Sequence, residues 1–304
     1  MARRPDRPGV NAKGNLPGID KGWNYAPGAS LAQQQQQIVA NKAANLPTQL
    51  AQDFKKDMSF ILPPEAYIKA GKEITSTLPA NDMAQLYNDL MALLNAQVGT
   101  GRAATIASSG KGADLVRQAS RHYPASWVAE ADNLGPLYTK LNTNGRGWHH
   151  TIDNSQYPVG TLVNFRDFGV VTVEKNAGYI VVRDDVGNAI HEYAHRLQNA
   201  HPRLQKLFKE LHLRRTGHAP LESLDKLEPL VGYGKNELTR RDHYIKNYWG
   251  KEYGGEPLEV MTMGFKTVLS GYKTKESGKW FEKLYNNDRE IFDFVVGILF
   301  NWKP

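Results

Sequence analysis

Two histidines four residues apart carry the clearest chemical signal in the sequence. His191 and His195 enclose Glu192 in the run His-Glu-Tyr-Ala-His. On a helix, residues at i and i+4 share one face, so both imidazoles can reach a single zinc ion at about 2.0–2.1 Å. Glu192 can then take a proton from the attacking water. The run therefore predicts a zinc site that hydrolyses peptide bonds, with Glu192 as the general base.

A catalytic zinc site needs a third protein ligand, and three downstream residues compete for that role. We favour Glu259, which would lie near a helix start among apolar neighbours, where a carboxylate is costly unless it is paired or binds a metal. Glu256 is the alternative in the same helix, although an acid there also suits the helix dipole. His201 follows His195 by six residues, but an unbroken helix would turn it to another face. Glu259 would complete a ligand set of the gluzincin type.

Other polar side chains could assist the reaction. Four residues before the Glu259 helix could donate a hydrogen bond to the developing oxyanion, namely His243, Tyr244, Tyr248 and Tyr253, and of these we favour Tyr253 and His243. Packing of their rings against the sheet is the other interpretation. His149 and His150 follow a Gly-Arg-Gly-Trp run and either face a substrate cleft or line a strand.

Hydrophobic spacing places these residues on predicted elements. Three short segments rich in Val, Ile, Phe and Tyr predict a small antiparallel sheet, at 161–165, 170–174 and 179–183. Helical spacing predicts that the zinc-site helix begins near Val186, with Asp184 or Asp185 as its cap. The other predicted helices cover 30–45, 81–98, 113–123, 126–133, 202–214, 257–269 and 288–301. This order of elements predicts an α+β protein.

Composition argues against cysteine chemistry, a membrane span and a secretory signal peptide. The 304 residues include no cysteine, which excludes disulfides, thiolate nucleophiles and zinc sites with cysteine ligands. The longest apolar run, 292–302, has about half the length that a membrane span needs. The first residues lack the apolar region of a secretory signal peptide. The net charge of +7 permits loose association with acidic surfaces, but we expect no specific nucleic acid and no membrane as a partner.

Several stretches resemble known phage proteins. The Ile-His-Glu-Tyr-Ala-His run at 190–195, the tyrosine-containing stretch at 248–253 and Pro-x-Glu-Val-x-x-Met-Gly at 257–264 resemble the metallopeptidase-like domains of phage head proteins and phage-derived toxins. In addition, residues 20–28 are similar to the Gly-Trp-Asp-Tyr-x-Pro-Gly segment that closes phage Mu F-like head morphogenesis proteins.

The resemblance implies a fold, and composition divides the chain. Residues 80–304 would form a zincin-like metallopeptidase domain, in which a small sheet is followed by the active-site helix and a helical C-terminal part. Residues 31–79 would be a helical arm or linker. Residues 1–30, rich in Pro, Gly and basic residues, would be a flexible basic tail.

The resemblance also implies a setting for the reaction. A minor head protein would act in the virion or the host cytoplasm on a protein or peptide substrate. Trp23 and Tyr25, the large aromatic residues of the tail, would dock onto a phage portal or head protein. The other interpretation is that the tail packs them on its own domain. The alternatives are a non-catalytic structural head protein with the same fold and a phage-derived toxin that cleaves a host protein.

Overall fold

The computed structural model describes residues 62–79, 82–143, 145–165, 167–217, 219–253, 256–257 and 259–304. The predicted basic tail, the predicted helix at 30–45 and the aromatic pair Trp23 and Tyr25 lie outside these residues. Within them the protein is mixed α+β, as the sequence predicts. None of the helices in these ranges is both long and apolar enough to span a membrane.

Ten helices make up most of the described structure. They are α1 (Pro64–Ser76), α2 (Met83–Gln97), α3 (Lys111–Ser120), α4 (Ala125–Leu134), α5 (Val186–Ala200), α6 (Pro202–Thr216), α7 (Leu224–Leu227), α8 (Glu259–Ser270), α9 (Lys275–Asn287) and α10 (Arg289–Asn301). Short 3₁₀ turns cover Asn247–Gly250 and Gly271–Lys273. Helices α7 and α9 were not predicted, and α1 was covered only by the predicted helical arm. The predicted helices that fall within the described residues are present with shifted ends.

The strands form three small sheets. They are β1 (Leu137–Leu141), β2 (Trp148–Thr151), β3 (Leu162–Phe165), β4 (Gly169–Thr172), β5 (Gly178–Val182), β6 (Leu221–Ser223), β7 (Leu238–Arg240), β8 (Lys251–Tyr253) and β9 (Glu256–Pro257). The first sheet has the order β1-β5-β2, the second is the β3-β4 hairpin, and the third runs β6-β7-β8-β9.

The prediction of one antiparallel sheet from three strands is wrong in its pairing. Strands β3 and β4 pair only with each other, whereas β5 pairs parallel to β1 and antiparallel to β2. The reason is burial: every residue of β5 is buried, and a strand covered on both faces belongs at the centre of a sheet.

The first sheet lies between two hydrophobic layers. Ile180 and Val182 of β5 point into the main helical core, whereas Tyr179 points into a smaller cluster under the β3-β4 hairpin. Alternation along the strand places successive side chains on opposite faces. The same rule directs His149 of β2, the partner of Ile180, toward the helices.

Helix α5 begins at the end of this sheet. The Asp185 carboxylate accepts hydrogen bonds from the backbone N–H groups of Gly187 and Asn188 at 3.1 and 2.8 Å, so Asp185 is the cap. The face with Ile190 and Ala194 is fully buried. The predicted strand-then-helix arrangement therefore fixes the orientation of the histidine motif.

Helix α1 belongs to the same core as the rest of the described chain. A Cβ added to Gly71 would lie 1.7 Å from the Asp293 carbonyl oxygen, and one added to Gly297 would lie 1.9 Å from that of Tyr67. Backbones of α1 and α10 therefore touch at two glycines. Residues 64–76 pack on the core from the other side of the predicted boundary at residue 80, so a separate arm over 31–79 does not describe them.

Candidate metal centre

Three of the predicted ligands lie close together. One ligand atom each from His191, His195 and Glu259 lies within 4.8 Å of the others. His191 Nε2 is 3.3 Å from Glu259 Oε2, and the two imidazole centroids are 5.1 Å apart. Helix α5 supplies both histidines through their i, i+4 spacing, and the first residue of α8 supplies the carboxylate.

The ionisation of these groups suits metal binding. Burial lowers the pKa of His191 to about 3, so its imidazole is neutral at pH 7 and can donate a lone pair. Burial alone would raise the pKa of Glu259, but His191, His195 and the Tyr248 hydroxyl together lower it to about 2. Glu259 is therefore a carboxylate at neutral pH.

Neighbouring side chains hold two of the ligands in position. Tyr248 donates a hydrogen bond to Glu259 Oε1 at 2.7 Å, and Thr262 donates one to Glu259 Oε2 at 3.0 Å. His195 Nδ1 is 2.8 Å from Gln198 Oε1. A donor at Nδ1 leaves Nε2 of His195 as the nitrogen that can ligate.

Glu192 projects beside the three ligands. Its carboxyl group is buried and accepts a 3.4 Å hydrogen bond from Asn188 Nδ2. Burial and the charge of Glu259 raise the pKa of Glu192 well above its usual value. A bound divalent cation favours the ionised form of a neighbouring carboxyl group.

A glycine gives the Glu192 carboxyl its space. A Cβ added to Gly147, just before β2, would lie 2.6 Å from Glu192 Oε1 and 2.6 Å from Asn188 Oδ1. The backbone of the β1–β2 connection thus runs directly against the predicted general base. Only the Gly-Arg-Gly run hinted at this approach, and sequence reasoning did not single out Gly147.

The two alternative third ligands, His201 and Glu256, are not part of this ligand group as the structure describes it. His201 ends α5 and contacts the Trp127 carbonyl oxygen at 3.2 Å and Glu130 at 3.3 Å, outside the ligand group. The side chain of Glu256 is outside the described residues.

The structure describes the side chain of only one of the two favoured oxyanion donors. His243 is exposed and outside the ligand group. The Tyr253 side chain falls outside the described part of the chain, although its backbone belongs to β8. Tyr248, five residues before Tyr253, is the tyrosine whose hydroxyl donates a hydrogen bond to Glu259.

The two adjacent histidines of β2 face opposite ways. The ring of His149 lies parallel to that of His195, with centroids 6.1 Å apart, and burial lowers its pKa well below the usual value. His150 instead packs against Phe165 of the hairpin, at 5.2 Å between centroids. The cleft interpretation therefore suits His149, and the strand-lining interpretation suits His150.

The donor set fits zinc. Two imidazoles and one carboxylate are three protein ligands of the types that zinc accepts, which leaves a coordination position for a small molecule. His191 Nδ1 is buried with no hydrogen-bond partner among the described residues. His191 Nε2, and not this Nδ1, is the nitrogen that faces Glu259 Oε2 at 3.3 Å, so the fit to zinc rests on the types of the three donors.

Comparisons with known proteins return no relatives. The chain matches no protein-family model, no curated protein and no solved structure.

Proposed function

We propose that the protein is a zinc-dependent peptidase with a zincin-like fold of the gluzincin type. The observation that carries this proposal is the convergence of His191, His195 and Glu259 within 4.8 Å, with Glu192 beside them on α5. The His-Glu-x-x-His spacing and a downstream carboxylate are the pattern expected of such a site.

Each residue has a distinct role in this proposal. Zinc held by the three ligands would polarise the scissile carbonyl and activate the attacking water. Glu192 takes the proton from that water and passes it to the leaving amine. Tyr248 and Thr262 keep the Glu259 carboxylate oriented toward the two imidazoles.

The position of Glu192 favours catalysis over a purely structural metal. A structural site is complete with its ligands and gains nothing from a further buried carboxyl group, which is costly to desolvate. Here that group is buried, and Gly147 leaves room for it. We therefore favour an active enzyme over a non-catalytic head protein that keeps only the metal.

The biological setting in this proposal rests on the resemblance to phage head proteins. A virion-associated peptidase would use Trp23 and Tyr25 to bind a portal or head protein, and a toxin would act on a host protein instead. Replacement of both aromatic residues by alanine should abolish incorporation into particles and leave peptidase activity unchanged. Incorporation at the parent level would contradict the docking role.

Metal analysis combined with peptide cleavage tests the chemistry. We expect one zinc per chain, which His191→Ala and His195→Ala remove. Glu192→Gln should keep the zinc and lower turnover by at least about a hundredfold. Glu73→Gln, at an exposed position of α1, is the matched control and should change neither. A parent chain without zinc, or equal zinc loss in the His191, His195 and Glu192 variants, would overturn the proposal.

A further inference from the structure

One arginine on the β1–β2 connection, next to Gly147, contacts residues of a distant segment. Arg146 Nη1 lies 3.3 Å from both carboxylate oxygens of Glu237. Its guanidinium carbon is also 5.0 Å from the ring centroid of Tyr233. Arg146 directly precedes Gly147, the residue whose backbone lies against the predicted general base Glu192.

Arg146, Tyr233 and Glu237 form a bridge, and Tyr233 links it to the proposed metal ligands. The ring of Tyr233 stacks on that of Tyr248, with centroids 5.7 Å apart and an interplanar angle of 16°. Tyr248 in turn donates its hydrogen bond to Glu259. The contacts of Arg146 therefore lead through Tyr233 and Tyr248 to Glu259, while its neighbour Gly147 lies against Glu192.

A buried lysine also contacts the carboxylate of this bridge. Lys251 Nζ lies 2.5 Å from Glu237 Oε1, and the backbone N–H of Gly234 donates to Oε2 at 2.7 Å. Two cations thus share one carboxylate. The Lys251 side chain is 5% exposed and that of Arg146 is 57% exposed. A buried charge is costly to leave without a partner, whereas an exposed one is not, so Arg146 is the cation that can leave Glu237 at the lower cost.

The contact geometry also leaves Arg146 available. Both contacts to Glu237 come from the single nitrogen Nη1, whereas guanidinium–carboxylate pairs favour a fork of two parallel N–H donors. An exposed pair of this kind contributes little to stability. A carboxylate from another molecule can therefore take the fork while Glu237 keeps Lys251.

We propose that Arg146 is a specificity-determining residue that binds an acidic side chain of the peptide substrate, close to the scissile bond. This inference rests on the proposed peptidase function. Tyr233 supports the guanidinium from behind, and the planar fork distinguishes a carboxylate from an amide of the same shape.

Binding to an inactivated enzyme tests the assignment without relying on turnover. The probes are two pools of short fluorescent peptides that differ only in one fixed central residue, Asp or Asn, and the protein is the zinc-loaded Glu192→Gln chain. We expect the Asp pool to bind about tenfold more tightly, as one charge-assisted hydrogen-bonded pair allows. Adding Arg146→Gln should remove that difference.

A second arginine provides the control. Arg117 has an exposed partner, Asp114, at 3.0 Å on α3, and Arg117→Gln in the same background should keep the tenfold preference. Equal binding of the two pools, binding of neither pool, or a preference that survives Arg146→Gln overturns the assignment. Zinc content measured on the same preparations separates the two ideas, because a parent chain without zinc defeats the peptidase proposal itself.

Discussion

The Tyr248 hydroxyl donates a 2.7 Å hydrogen bond to Glu259 Oε1, and so couples the 3₁₀ turn at Asn247–Gly250 to the first residue of α8. The other oxygen of the same carboxylate faces His191 Nε2 at 3.3 Å. A residue outside the proposed ligand set thus orients one of the proposed metal ligands. Mutating such an outer contact typically lowers metal affinity by about 10- to 100-fold.

Replacing Tyr248 by phenylalanine should weaken zinc binding about 10- to 100-fold, because the carboxylate loses the donor that orients it. Competition with a fluorescent zinc chelator measures the affinity. Tyr233→Phe is the matched control, since it keeps the stacked ring and removes a hydroxyl that does not donate to Glu259 in the structure. Unchanged zinc affinity in Tyr248→Phe would show that Thr262 alone orients the carboxylate.

The third ligand can be identified by a pair of alanine variants. Glu259→Ala should remove most of the zinc affinity, because only two donors would remain. His201→Ala should leave the affinity near the parent value, since His201 contacts Trp127 and Glu130 instead. Titration of the metal-free proteins with zinc provides both values. The reverse result would mean that the chain end after α5 turns back to the metal.

The local part of the site was predictable and the long-range part was not. The positions of His191 and His195 follow from helical spacing within one element, and an apolar face at Ile190 and Ala194 supported that element. Glu259 could be proposed because a buried carboxylate needs a partner. Which residue would be that partner depends on contacts between distant segments, which no periodicity reveals.

The sheet illustrates the same limit. Strand β5 was predicted from its apolar run, but its neighbour β1 was not predicted, and β2 was only one of two interpretations of His149 and His150. Parallel pairing to β1 joins residues about forty positions apart in sequence, and local turn signals report only hairpins. The predicted hairpin β3-β4 formed for that reason, whereas its pairing to β5 did not.

Alanine at Gly147 should impair turnover without removing zinc. The added Cβ would lie 2.6 Å from Glu192 Oε1, so the carboxyl group must shift. Displacement of a general base by a fraction of an ångström to one ångström costs about 10- to 100-fold in rate. Gly145→Ala is the control, since its Cβ would meet the movable Asn142 side chain. Parent-level kcat in Gly147→Ala would show that Glu192 does not act as the base in this position.

Acid should destabilise the metal-free protein through His201. Burial lowers the pKa of His201 to about 4 in the folded state, against about 6.5 in the unfolded chain. Between these pH values the unfolded chain binds a proton at His201 that the folded chain does not, so stability falls as the pH drops from 6.5 toward 4. For His201 alone, we expect a loss of roughly 1–2 kcal/mol between pH 7 and pH 5. Urea unfolding at both pH values measures this loss of stability.

His201→Gln, which keeps a donor for the Trp127 carbonyl, should reduce the loss, whereas His243→Gln at an exposed position should leave it unchanged. An identical pH dependence in parent and His201→Gln would mean that His201 titrates equally in both states.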